Sequence, residues 1–74
     1  MIVRYDPKAL RRCRRKQAIG QGELAHRARL SLRGLGYLEH GLHEPRAGTL
    51  ARLASALGVS IDAFFRQGKS RRAA

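Results

Sequence analysis

The sequence predicts an all-α domain of five short helices, and three observations carry that reading. Apolar residues recur at helical spacing from Leu10 to Phe65, most clearly at Leu50, Leu53, Ala54 and Leu57, which follow i, i+3, i+4, i+7. Nowhere does apolar–polar alternation persist long enough for a sheet, although Ile2-Val3-Arg4-Tyr5 suits a short N-terminal extended segment. Helix-boundary residues also fall between the apolar stretches at the right intervals.

The elements follow in order. Asp6-Pro7 starts a first helix over Pro7 to Lys16: Asp accepts orphan N–H bonds as N-cap, and proline is pre-organised for the first helical position. Leu10, Cys13 and Gln17 mark its inner line, Cys13 as a small buried hydrophobe, leaving Arg11, Arg12, Arg15 and Lys16 on the remaining surface. A linker through Gly20 leads to a second helix over Gln21 to Ala28, with Leu24, Ala25 and Ala28 on one stripe. Ser31 caps a third over Leu32 to His40, where Leu35, Leu38 and Leu42 continue an apolar line and Gly41 is the stop. A loop containing Pro45 precedes the fourth helix, closed by Gly58, and Ser60 caps a fifth whose inner side is Ile61, Phe64 and Phe65. Residues 1–66 form the domain, and 67–74 form a basic, mobile tail.

With 74 residues, there is room for one small core. Hydrophobic residues at 43% against 28% charged indicate a globular chain. One cysteine excludes an intramolecular disulfide and fits a reducing, cytoplasmic setting, and no secretory or membrane-spanning segment is visible. His26, His40 and His43 show no metal-ligand spacing, so no metal or cofactor is expected. The five acids are too dispersed for a catalytic pair, which excludes an enzyme. Sixteen Lys/Arg give a net charge of +11 and point to a polyanionic partner, nucleic acid first. Four aromatics make a poor stacking platform for single-stranded RNA.

The third helix sharpens this. Arg33, Gly36, Tyr37 and His40 are spaced i, i+3, i+4, i+7 on the side away from Leu35 and Leu38. A glycine inside a helix costs about 1 kcal/mol relative to alanine, so Gly36 needs a reason. At mid-stripe it lets the backbone approach base edges, and Arg33 beside it suits bidentate pairing with guanine. Gly34, on the seam side, is expected to permit close crossing beside Ala25.

IGQGELAHRARLSLRGLGYLEHG and EPRAGTLARLASALGVSIDAFF resemble the phage repressor and Cro type of helix-turn-helix regulator, the xenobiotic-response-element group, without a gap over about 60 residues. The signatures are Gln21-x-x-Leu24-Ala25, Leu38-Glu39-x-Gly41 and Ala56-Leu57-Gly58-Val59-Ser60. The resemblance implies that the second and third helices form the helix-turn-helix, with recognition by Leu32 to His40. It places Gln21 near phosphates or a base edge, Ser31, Leu32, Arg33, Gly36 and Tyr37 toward DNA, and Leu42 and His43 beside the backbone. It also implies an ion pair between Arg14 and Glu39. The sequence departs from the pattern at Arg29, where the family usually has a turn glycine, at Leu32, usually polar, and at Gly36, often serine.

The expected function is sequence-specific duplex-DNA binding in transcriptional control, by a repressor acting through operator occupancy without a small-molecule effector. An antitoxin-like or other protein-interaction module on the same fold is the alternative. Because one short helix reads few base pairs, a homodimer on DNA is expected, with Ile61, Phe64 and Phe65 as its interface.

Overall fold

A computed structural model describes residues 3–67. In chain order these form strand β1 (Val3–Tyr5), helices α1 (Pro7–Lys16), α2 (Gln21–Arg27), α3 (Leu32–Glu39) and α4 (Ala47–Leu57), a 3-10 turn at Ile61–Phe64, and strand β2 (Phe65–Gln67). β1 and β2 pair antiparallel, with Val3 opposite Gln67, Arg4 opposite Arg66 and Tyr5 opposite Phe65. The N-terminal segment is thus extended as expected, but it is paired with the other end of the chain.

Asp6 caps α1 by accepting the Lys8 backbone N–H at 3.1 Å, and Pro7 occupies the first turn. Ser31 caps α3 in the same manner, its hydroxyl accepting from the Gly34 N–H at 2.9 Å. All four α-helices end alike. The residue beyond each end is left-handed, with φ of 56° at Ala18, 59° at Arg29, 77° at Gly41 and 69° at Gly58. The next N–H then reaches back five residues: Ile19 to Arg14, Leu30 to Ala25, Leu42 to Tyr37 and Val59 to Ala54. Two of these positions lack glycine, so Ala18 and Arg29 carry a Cβ that the left-handed region disfavours. The α2–α3 turn nevertheless keeps its geometry with Arg29 in place. Its carbonyl side is braced from α4, where Arg52 Nε donates to Ala28 O at 2.8 Å.

The core is one cluster: Leu10 from α1, Leu24, Ala25 and Ala28 from α2, Leu35 and Leu38 from α3, Leu50, Leu53, Ala54 and Leu57 from α4, and Phe64. Cys13 is half-buried at its edge.

The expectation of a fifth helix is corrected. Ile61–Phe64 is a single 3-10 turn, and Phe65 is already extended at φ −117°, ψ 147°. Four residues make too few i→i+4 bonds to hold an α-helix, whereas leaving the turn lets residues 65–67 satisfy their backbone groups against β1. Gln67, expected in the tail, is in β2; residues 68–74 of that expected tail lie outside the described residues. Leu42 is not part of the apolar line of α3, because left-handed Gly41 turns the chain away and leaves Leu42 67% exposed. Gly34 does not serve a crossing with Ala25. A Cβ there would meet the Ser31 hydroxyl at 2.9 Å, so its smallness serves the cap.

Candidate nucleic-acid interface

α3 divides cleanly into two faces. Leu35, Leu38 and Glu39 are buried, while Leu32, Arg33 and His40 are exposed and Gly36 and Tyr37 are half-buried between them. A Cβ built on Gly36 meets nothing within 4 Å. Among the described residues, therefore, nothing sterically requires glycine at this position, and the space a side chain would fill is open. Leu32 stands 57% exposed at the start of the helix, an arrangement no folding requirement explains. His40 turns back so that its Nδ1 lies 2.8 Å from Gly36 O, which leaves Nε2 directed away from the helix.

Beyond α3, Leu42 and His43 are exposed in the loop. The His43 ring meets Tyr37 edge-on, with centroids 4.9 Å apart and planes at 61°. That contact ties the loop to the stripe and orients the Tyr37 ring. Leu30, Gly34, Pro45 and Thr49 complete a shallow cleft of about 230 Å³ beside these two rings.

Beneath the stripe sits the Arg14–Glu39 pair. Arg14 Nε donates to Glu39 Oε2 at 2.7 Å and Nη2 donates to Oε1 at 3.1 Å, a two-pronged contact between side chains only 12% and 1% exposed. Arg14 Nη1 also donates to Ile19 O at 3.0 Å. The one acid of α3 is thus neutralised internally and adds no free negative charge to the exposed face of that helix. Gln21 joins the network, its Nε2 donating to Glu39 Oε1 at 2.9 Å. One Gln21 amide N–H is thus engaged by the ion pair, while its second N–H and its oxygen, on a half-buried side chain at the start of α2, remain available for the phosphate or base edge expected of it.

Tyr5 supports the far end of α3 by donating its hydroxyl to Leu38 O at 2.8 Å. Burial pushes that hydroxyl's pKa well above the ordinary tyrosine value, and the charges of Glu39 and then Asp6 add to the effect. No spacing in the sequence pointed to this contact or to the Arg52 brace, since both join residues more than twenty positions apart.

Of the expected dimer residues, Phe64 is fully buried in the chain's own core, which removes it as a docking side chain. Phe65 is half-buried and lies edge-on to Tyr5 at 6.4 Å, while Ile61 is 40% exposed. Among the described residues no set of three His, Cys, Asp or Glu is placed to hold a metal ion, and no helix is long and apolar enough to cross a membrane.

Comparison with known proteins agrees with this geometry. A family model described as helix-turn-helix matches residues 10–64, the greater part of the chain. Among solved structures, the crystal structure of the restriction-modification controller protein C.AhdI from Aeromonas hydrophila is similar, with a TM-score of 0.76 at 24% identity over 78% of this chain and 88% of that one, a likeness of fold. No curated protein matches. The chain belongs to the helix-turn-helix family of Cro/C1, xenobiotic-response-element type, and is a DNA-binding transcriptional regulator.

Proposed function

We propose that this chain is a sequence-specific repressor that acts by occupying an operator as a two-fold dimer, with α3 of each copy in the major groove. The observation that carries the reading is Gly36: an open, Cβ-free position in the middle of an exposed stripe, flanked by Arg33 and His40, on a helix whose other face is fully packed. A backbone bared at that point suits close approach to base edges. Arg33 pairs with guanine O6 and N7, Leu32 meets a thymine methyl, and Tyr37 and His40 follow the groove wall. Ser31, Leu42 and His43 lie against the backbone at either end of the helix.

Dimerisation on an inverted repeat, with the recognition helices ~34 Å apart, doubles the few base pairs that one short helix reads. Ile61 and the outer edge of Phe65 are the apolar surface for it; being small, that surface leaves assembly to be driven by DNA. The regulator works in the cytoplasm, on the nucleoid.

Selection of bound duplexes from a random pool tests the reading. Enrichment of an inverted repeat with half-sites about one turn apart, bound by two chains in sedimentation, supports it. Recovery of unenriched sequence, or saturation at one chain per symmetric site, overturns specificity or the dimer respectively.

A further inference from the structure

In the two-stranded sheet, successive side chains alternate between faces. Tyr5 and Phe65 form an inward pair, ring against ring. Arg4 and Arg66, the next pair along, therefore face outward, directly opposite each other, and both are exposed. Like charges so placed destabilise an antiparallel pair. Neither is in an ion pair, the ion pairs among the described residues being Arg14–Glu39 and Arg27–Glu23.

Arg66 also borders a cleft of about 310 Å³ lined by Asp6, Pro7, Lys8, Arg11, Glu39 and His40. Of the two acids there, Glu39 is buried and held by Arg14 and Gln21, while the Asp6 carboxylate caps α1 through one backbone N–H and keeps its charge. What the cleft presents outward is Lys8, Arg11, Arg66 and the His40 ring against the one acid Asp6, a net basic surface. His40 belongs to the exposed stripe of α3, so this basic surface continues directly from the groove-facing one.

We propose that Arg4, Lys8, Arg11 and Arg66 form a backbone clamp that grips phosphates of the same duplex past the C-terminal end of α3. The proposal rests on α3 being the groove-reading helix. Phosphates relieve the Arg4–Arg66 repulsion on binding, and gripping the duplex beyond the stripe fixes how α3 is seated in the groove.

The experiment is a salt titration of affinity, for the full chain and the Arg11→Gln/Arg66→Gln variant, on the selected duplex and on a random duplex of equal length. Each phosphate contact contributes a slope of about 0.9 in log K against log salt. The variant should flatten the slope by roughly 1.8 and weaken both duplexes by the same factor. Arg66→Gln and Arg4→Gln alone should each melt at or above the wild-type temperature while binding DNA more weakly, a pairing of effects that general unfolding does not produce. An unchanged slope, or a loss confined to the selected duplex, overturns the clamp. So does a higher melting temperature with full affinity, which would make the arginine pair a guard against edge pairing only. Arg33→Ala measured alongside separates the two ideas: if it relaxes base preference while the slope of the double variant stays put, the clamp fails and the groove reading stands.

Discussion

Replacing Arg14 with Met, or Glu39 with Gln, strands a charge in the interior, and the structure lets the two costs be ranked. Removing one partner of a buried ion pair costs about 3–5 kcal/mol. Arg14→Met belongs at the upper end, because Glu39 is 1% exposed and would keep only the Gln21 amide as a donor. Glu39→Gln belongs at the lower end, since Arg14 is 12% exposed, keeps Ile19 O, and can still donate to the glutamine oxygen. For a domain of this length, total stability is of order 4–11 kcal/mol, so either change removes a large share of it. At about 4–8 °C per kcal/mol, the expected fall in melting temperature is at least about 12 °C for each single variant. The double variant carries no stranded charge and should lose less than the sum, with a coupling of up to about 3 kcal/mol. Thermal and urea melts of the three variants measure it. Small, additive losses of about 1 kcal/mol or less would place both groups in solvent and refute the reasoning.

Further outcomes follow from the helix ends and the terminal sheet. Arg29→Gly should raise stability by about 0.5–1 kcal/mol, since the relief of left-handed strain exceeds the added chain entropy; a lower melting temperature would mean that the Arg29 side chain contributes more than its backbone costs. Gly36→Ala should stabilise α3 by about 0.5–1 kcal/mol while weakening DNA binding, and equal affinity would deny Gly36 its role at the groove. Because the folded chain holds the Tyr5 proton more tightly than the unfolded chain, stability is full below the ordinary value of 10.0 and falls as pH rises past it. Tyr5→Phe should cost about 1 kcal/mol at neutral pH through the lost bond to Leu38 O and should remove that part of the alkaline decline, as urea melts at successive pH values can show; an identical decline would assign it elsewhere.

The helices were legible because their signals are local. Asp6-Pro7, Ser31, Gly41 and Gly58 each fix one boundary through the φ or side-chain oxygen of a single residue, and the Leu50–Leu57 pattern marks one face of α4. The C-terminal end was not, because a 3-10 turn and a three-residue strand carry no periodicity, and the preference for strand at Phe65 comes from pairing with Tyr5 across the whole chain. Phe64 reads as a docking residue in the sequence for a related reason: the room the core has for it, once α4 and the turn are packed, is a volume that no count of apolar positions shows. At the candidate interface, the exposed stripe of α3 was readable from spacing alone, whereas the commitment of Gln21 to Glu39 was not, since a glutamine's partner depends on which buried acid lies within reach.

If the exposed face of α3 reads base sequence, Arg33 is the side chain on which that reading most depends. Affinity of wild-type chain and Arg33→Ala should be measured on the selected duplex and on duplexes changed one base pair at a time, at a fixed ~0.15 M salt. The expected result is a loss of about 1–3 kcal/mol on the selected duplex and a loss of preference at one base pair per half-site, with preference elsewhere retained. A uniform loss on every duplex, with all preferences intact, would move Arg33 to the phosphate backbone and contradict that reading.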